Sequence, residues 1–134
     1  MSEQRFDVIK FDDLHLPLQQ NNNKYNCFEN IIKKNGVYVF QHKITNEVLY
    51  IGEAYKQDLK KRIVQNFTEH NTGGTFRKNY CFLNKKNFSD FKQLISESNL
   101  QIISINNING SKVLIHAMEA ILISLLQPKY NLDN

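Results

Sequence analysis

Two tyrosines in neighbouring apolar segments are the first residues that could do chemistry. Tyr38 lies within Gly36–Phe40 and Tyr50 lies within Val48–Gly52, with a polar stretch between the two segments. Short runs of β-branched and aromatic residues, bounded by turn-forming residues, are typical of the two strands of an antiparallel hairpin. A phenol can orient a water molecule or relay its proton, although most strand tyrosines only pack. The two phenols are therefore candidates that depend on what else the fold brings near them.

The expected faces of this hairpin follow from the alternation of side chains along a strand. Tyr38 and Phe40 would share one face, and Tyr50 and Val48 would lie beside them, next to the open space at Gly52. The other face would carry the remaining aliphatic side chains and build a core there: Val37, Val39, Leu49 and Ile51.

A cationic segment follows the hairpin. Asp58 is a good helix N-cap, and apolar residues then recur every four positions, at Leu59, Ile63 and Phe67. Arg62, Asn66 and His70 keep the same spacing one position away, so a helix of that length would point them across the sheet towards the tyrosines. The alternative interpretation is that Lys60–Arg62 is a solvated charge run.

The last apolar segment contains a single carboxylate. Between Lys112 and Lys129, Glu119 is the only formally charged residue, and His116 precedes it by one helical turn. Apolar residues on nearly all sides predict an interior helix, which Pro128 would end. An unpaired buried carboxylate costs on the order of several kcal/mol, so Glu119 should be protonated, paired with a cation or bound to a metal. A structural ion pair with an arginine is the alternative, and His116 is interpreted as a satisfied histidine at the helix edge.

Together these residues resemble a known signature. Gly36–Tyr38 and Tyr50–Gly52 are similar to the paired motifs of the GIY-YIG nuclease superfamily, with valine in place of the usual isoleucine in the first motif. An arginine on the next predicted helix, a lone glutamate in a late helix and an asparagine after a proline follow in the family's order: Arg62, Glu119 and Asn131. On these five matches, spread over residues 35–131, the chain is identified as a small free-standing member of that superfamily.

The resemblance implies roles for the matching residues. Tyr38 would be the candidate general base, Tyr50 would help to position the nucleophile, Arg62 would stabilise phosphate charge, Glu119 would bind the metal, and Asn131 would support the site. Gly36 and Gly52 would be structural. A single carboxylate suits one Mg²⁺ or Mn²⁺ that keeps most of its waters and takes a phosphate oxygen as a further ligand.

The chain also departs from the family pattern. Many members carry histidine or tyrosine one turn after the arginine, where this chain has Asn66, and His70 lies one turn further along. His70 is therefore a candidate to assist the base. Glu53 puts an acid where a small or hydroxylated residue is common in the family. A cation near the phenol would favour proton loss, and Lys56 or Arg62 could supply it.

The predicted fold is α+β, with a small three-stranded antiparallel sheet flanked by helices and preceded by an N-terminal extension. Residues 1–34 would form the extension, in which Arg5–Phe11 is either an edge strand or an arm, and residues 35–134 would form the catalytic domain. The third strand is predicted at Leu100–Ile105, because this segment is β-branched and ends in a turn-rich stretch.

A modest excess of positive charge is compatible with a polyanionic partner. The chain has 17 Lys and Arg against 13 Asp and Glu, a net charge of +4. The loop at residues 71–78 offers glycines and cations to a phosphate, although a plain loop into a helix fits equally well. The predicted nucleic-acid contacts are Lys56, Lys61, Arg77 and Lys78. DNA is the expected partner and RNA the alternative; cutting both strands would imply a homo-oligomer.

Several classes of protein are disfavoured. Cys27 and Cys81 form no paired motif, so neither a zinc ribbon nor a redox motif is expected. The apolar run Val113–Leu126 is too short to cross a bilayer, and we expect a cytoplasmic protein without membrane contact. Two rival functions stay open. One is a non-catalytic nucleic-acid-binding module that retains the fold, and the other is a protein-interaction domain that binds no nucleic acid.

Overall fold

A four-stranded antiparallel sheet forms the centre of the fold. The computed structural model describes residues 6–14, 25–105 and 111–132. Its strands are β1 (Phe6–Phe11), β2 (Gly36–His42), β3 (Val48–Ala54) and β4 (Ser98–Ile105), in the spatial order β1-β4-β2-β3. β3 is therefore an edge strand, and β2 lies between β3 and β4.

The sheet has one strand more than the sequence predicted. β1 pairs antiparallel with β4, from Phe6 opposite Ile105 to Phe11 opposite Leu100. The prediction of three strands is wrong because β1 joins the sheet through backbone bonds to a distant strand, which the alternation within β1 does not reveal. The predicted division of the chain between residues 34 and 35 stays a prediction.

In the part of the chain that the structure describes, four α-helices flank the sheet, and two of them begin at a side-chain cap. The four are α1 (Leu59–Val64), α2 (Thr75–Asn84), α3 (Phe88–Ser96) and α4 (Ser111–Leu126). The Asp58 side chain caps α1 by accepting a hydrogen bond from the Lys61 N–H at 2.8 Å. Asn87 and Asp90 form a capping box at the start of α3. After α1 a short 3-10 segment covers Gln65–Phe67, so the helix does not continue to His70.

A β-bulge changes the faces of the hairpin. β2 and β3 pair Tyr38 with Gly52 and Phe40 with Tyr50, but the register then shifts so that Gln41 pairs with Val48. Leu49 consequently packs with the tyrosines, and Val48 packs on the opposite face. The simple alternation predicted the reverse for these two residues, because one extra residue in β3 inverts the order of faces beyond it.

The sheet separates two cores. On the face of the tyrosines, α1, α2 and α3 cover a core rich in aromatic residues, including Phe28, Phe40, Phe76 and Phe91. On the other face, α4 packs against Val37, Val39 and Ile51. Aromatic rings of this size dominate the apolar area that a small domain buries.

Only one side of α4 is buried. Ile115 is fully buried against the sheet, whereas Val113 and Leu125 are each 73% exposed. The expectation of a helix buried on all sides is wrong, because a helix lying on a two-faced sheet is covered from one direction only. Among the helices that the structure describes, none is long and apolar enough to cross a membrane.

Candidate active site

Tyr38 lies in a slot that two glycines make possible. Its side chain is 1% exposed, and its ring lies over Gly52 on the neighbouring strand. A Cβ atom at Gly52 would come within 2.3 Å of the Tyr38 Cζ and Oη atoms. At Gly36, a Cβ atom would come within 2.0 Å of the Ile103 carbonyl oxygen on β4. Both glycines thus allow a close approach that any larger residue would prevent.

The two phenols lie side by side, as the alternation predicted. The ring centroids of Tyr38 and Tyr50 are 6.3 Å apart, and Tyr50 in turn stacks on Phe76 of α2. Burial raises the pKa of Tyr38 far above its ordinary value, and the neighbouring Tyr50 raises it further. At neutral pH the Tyr38 hydroxyl is therefore protonated. It can donate a hydrogen bond or orient a water, and it does not begin as a phenolate.

Arg62 extends from α1 towards the tyrosines and has no acidic partner among the residues that the structure describes. Its Nη1 donates to Gln65 Oε1 at 3.0 Å and to the Gly73 carbonyl at 2.9 Å. Gln57 and Gln65 also hydrogen-bond to each other at 3.1 Å. Neutral acceptors thus hold the guanidinium while its charge stays uncompensated, which suits an anionic ligand.

Glu119 lies on α4, which covers the face of the sheet opposite to the tyrosines. α4 packs mainly against β3, and β3 is the edge strand beyond which groups from both faces can meet. The charge of Glu119 contributes to the raised pKa of Tyr38. Burial raises the pKa of Glu119 to about 7, the charge of Glu53 adds to this, and His116 and Arg62 oppose it. Glu119 and Arg62 influence each other without forming the structural ion pair that was the alternative.

The surroundings of Glu119 fit a divalent cation. Its half-buried carboxylate forms no ion pair within the described part of the chain, and a bound cation would offset the cost of its charge. In residues 6–14, 25–105 and 111–132, no three His, Cys, Asp or Glu side chains form a group that could hold a metal. One carboxylate plus water and phosphate oxygens is a donor set for Mg²⁺ or Mn²⁺ and does not suit zinc.

Asn131 completes the exposed edge of β3. Its Oδ1 accepts from the Ile51 N–H at 2.9 Å, and its Nδ2 donates to the Ile51 carbonyl at 2.7 Å. Just before it, the N–H groups of Lys129 and Tyr130 donate to the carbonyls of Val48 and Leu49. The side-chain amide thus acts as a strand partner and fixes the backbone between Tyr50 and Gly52.

Arg77 lies inside the molecule, which contradicts its predicted position on a nucleic-acid surface. It is 4% exposed, and its guanidinium donates to three backbone carbonyls of the preceding segment, those of Gln65, Thr68 and Asn71. A Cβ atom at Gly74 would come within 2.5 Å of Arg77 Nη1. Gly74 therefore makes room for a structural arginine, and no phosphate cradle is needed to explain it. Burial also lowers the pKa of Arg77.

The other predicted polar residues are spread over the surface and the core. Asn66 is buried, and its Oδ1 accepts from the Arg77 N–H at 3.2 Å. His70 does not line the sheet as predicted, because α1 ends at Val64; it lines an open groove of about 420 Å³ with Lys78 and Lys86. Lys56 and Lys61 are exposed, as nucleic-acid contacts must be.

Glu53 and His116 are the neighbours of the site whose pairing the sequence interpretation missed. The carboxylate oxygens of Glu53 lie 2.6 and 2.7 Å from His116 Nδ1. Glu53 was noticed only as a departure from the family, and His116 was assigned a structural place at the helix edge. The available signal was strand parity, since Glu53 shares with Ile51 the face that receives α4.

Comparison with protein families identifies a catalytic domain in the chain. The family model of the GIY-YIG catalytic domain matches residues 20–117. This range contains both tyrosines and Arg62, and it ends before Glu119 and Asn131. No match is found among curated proteins or among solved structures.

Proposed function

Since the chain belongs to the GIY-YIG family, we propose that it is a metal-dependent endonuclease that hydrolyses phosphodiester bonds in DNA. One observation carries the proposal. Tyr38, Arg62 and Glu119 come from distant parts of the chain, yet the charges of Arg62 and Glu119 both act on the pKa of Tyr38, and the charge of Arg62 acts on the pKa of Glu119. A purely structural role would not require an uncompensated guanidinium beside an uncompensated carboxylate.

The two tyrosines would prepare the attacking water. A buried, protonated phenol at Tyr38 holds a water by hydrogen bonding, and Tyr50 lies close enough to restrict where that water sits. Because the pKa of Tyr38 is raised, the hydroxyl would accept a proton from the attacking water only as it gives its own proton to a phosphate oxygen of the substrate. Tyr38 is then a relay in general-base catalysis, which refines the role implied by the family.

Arg62 would bind the phosphate and stabilise the charge that develops on it. Its fixed partners are neutral, so the guanidinium keeps its full charge for the substrate. A planar guanidinium matches two phosphate oxygens at once, and such pre-placed charges are among the largest contributions to catalysis. Gln65 and the Gly73 carbonyl would hold the side chain in place before substrate arrives.

Glu119 would hold the divalent cation. When bound there, Mg²⁺ or Mn²⁺ polarises the phosphate and stabilises the leaving oxygen. The carboxylate ionises more easily once a cation offsets its burial, so binding of the cation would release the proton that the raised pKa retains. Asn131 would keep the edge of β3 straight beneath these groups.

Exposed cations would guide the DNA backbone. Lys78, Lys86 and His70 line one groove next to the loop whose Gly73 carbonyl holds Arg62, and Lys56 and Lys61 are exposed elsewhere on the surface. Contacts of this kind position the duplex without reading its sequence. One site cuts one strand, so cutting both strands would require a second copy of the chain.

Incubation with supercoiled plasmid tests the proposal. With Mg²⁺ we expect nicked circles to accumulate, and with EDTA we expect none. Binding of DNA without any cleavage in Mg²⁺ or Mn²⁺ would favour the non-catalytic binding module. Absence of salt-dependent DNA binding as well would favour a protein-interaction domain, because phosphate contacts weaken steeply as salt rises.

A further inference from the structure

Glu53 and His116 make the shortest contact between a carboxylate and a basic side chain among the described residues. His116 Nδ1 lies 2.6 Å from one Glu53 oxygen and 2.7 Å from the other. The ring of His116 also packs edge-on against Tyr55, at 4.7 Å between ring centroids, and Lys112 Nζ lies 5.2 Å from that Tyr55 ring. The imidazole is therefore held on two sides and fixes the direction of the Glu53 carboxylate.

Glu53 and His116 lie on the same side of α4 as Glu119. His116 precedes Glu119 by one helical turn, so both side chains lie on the same side of α4. Glu53 follows Gly52 directly on β3 and reaches that side of the helix. Its side chain is 19% exposed, whereas that of His116 is 42% exposed, so the carboxylate faces inwards and the imidazole lies towards solvent.

A structural ion pair would not be placed here for stability alone. The charge of Glu53 opposes the ionisation of both Glu119 and Tyr38. The Glu119 carboxylate is therefore costly to ionise in the metal-free protein, and a divalent cation bound to it would offset that cost. A Mg²⁺ ion with one protein ligand also keeps several waters, and these waters donate hydrogen bonds to nearby acceptors.

We propose that Glu53, oriented by His116, is a positioning carboxylate of the metal site. The Glu53 carboxylate would accept hydrogen bonds from the waters of the cation held at Glu119. The proposal rests on the proposed nuclease function only in taking Glu119 as the metal ligand. It assigns to Glu53 and His116 a part of the site that the family signature does not contain. Removing a residue that hydrogen-bonds to the ligands of a metal typically weakens metal affinity by about 10- to 100-fold.

Titration with Mn²⁺ in the absence of DNA tests this assignment. The free Mn²⁺ ion is followed by electron paramagnetic resonance, and thermal unfolding of each metal-free variant is recorded alongside. Glu53→Gln should weaken Mn²⁺ binding by about tenfold while the variant stays folded. His116→Ala should weaken it less, and His116→Asn should restore it, because the asparagine amide can still donate to Glu53 from the position of Nδ1.

The matched control is a second histidine-paired glutamate far from the site. Glu97 lies 3.4 Å from His42 Nε2, and Glu97→Gln should leave Mn²⁺ affinity unchanged. Mn²⁺ affinity of Glu53→Gln equal to that of the unmodified protein overturns the positioning role and leaves the nuclease proposal standing. If the unmodified protein neither binds Mn²⁺ nor cleaves DNA, both proposals fall.

Discussion

Arg62 and Arg77 lie on either side of the same loop, residues 68–74, and they differ in burial and in hydrogen bonding. Arg77 is buried, and three backbone carbonyls take up its donors. Arg62 is half-buried and uses one nitrogen, with the Gly73 carbonyl of that loop as one acceptor. One arginine organises the loop, and the loop then holds the other arginine in place.

The difference shows how structural and functional charges can be told apart. A structural charge is buried together with acceptors that match its donors, so nothing is left for a ligand. At the edge of β3, burial raises the pKa of Tyr38 and of Glu119, and no neighbour within the described ranges compensates fully. Ionising such incompletely compensated groups lowers the stability of the folded protein, and a bound substrate or cation can offset this loss.

The largest expected effect separates the two arginines. Arg77→Met should lower the free energy of unfolding by about 3–5 kcal/mol, because it removes the buried guanidinium that donates to three backbone carbonyls of the loop. Arg62→Met should cost about 1 kcal/mol or less and should still abolish cleavage. Urea unfolding and plasmid nicking measure the two quantities. Equal losses of stability would contradict the contrast between the two side chains.

Asn131 provides the next largest effect. Asn131→Ala removes both hydrogen bonds to Ile51 on the exposed edge of β3, and we expect a loss of about 1–3 kcal/mol in the free energy of unfolding. Gln93→Ala is the control, since Gln93 is exposed and its amide bonds the Glu97 carboxylate at the surface of α3. A control as costly as Asn131→Ala would argue against a special role for the β3 edge.

The pH dependence of stability tests whether the pKa of Glu119 is raised in the folded protein. Its pKa is raised from 4.5 to about 7 in the folded protein, so the folded state binds more protons than the unfolded state between these values. In EDTA, stability should fall as pH rises through this window. Glu119→Gln should be more stable than the unmodified protein at pH 8 by about 1–2 kcal/mol, and equally stable near pH 4. Thermal unfolding across pH measures it; equal stability at pH 8 would refute the raised pKa.

The smallest effect concerns Lys78, the exposed neighbour of Arg77. Lys78→Ala should leave stability almost unchanged, because its amine bonds only the Thr72 carbonyl at the surface. It should weaken DNA binding evenly across sequences and reduce the slope of log affinity against log salt by about 1. Fluorescence anisotropy at several salt concentrations measures this slope. An unchanged slope would place the DNA elsewhere on the surface.

Local sequence patterns predicted much of the fold, but they did not predict the pairing of segments that are far apart in the chain. The hairpin of β2 and β3 follows from its composition, and the start of α1 follows from its cap at Asp58. The pairing of β1 with β4, the bulge at Leu49 and the one-sided cover of α4 depend on segments far apart in the chain. No window of the sequence contains both partners of such a contact.

The candidate site likewise contains residues that the sequence predicted and a pair that only the fold brings together. Residue types in the family's order pointed to Tyr38, Tyr50, Arg62, Glu119 and Asn131, and their roles stay predictions. The structure places Tyr38 beside Tyr50 and joins Asn131 to β3, and the charges of Arg62 and Glu119 act on the pKa of Tyr38. Spacing misplaced His70, because α1 ends at Val64. Arg77 was assigned to an exposed loop, whereas it lies on α2 and is buried. The partnership of Glu53 with His116 joins β3 to α4 across 63 positions of sequence, and only the fold reveals it.

Single-turnover cleavage by Glu119→Gln, measured together with DNA binding, tests the central claim most directly. The substitution keeps the shape of the side chain and removes the charge that would hold the cation. We expect Mg²⁺-dependent cleavage to fall by at least about 100-fold while the affinity for DNA stays the same. Cleavage at the unmodified rate would contradict the role of Glu119 as the ligand of the metal.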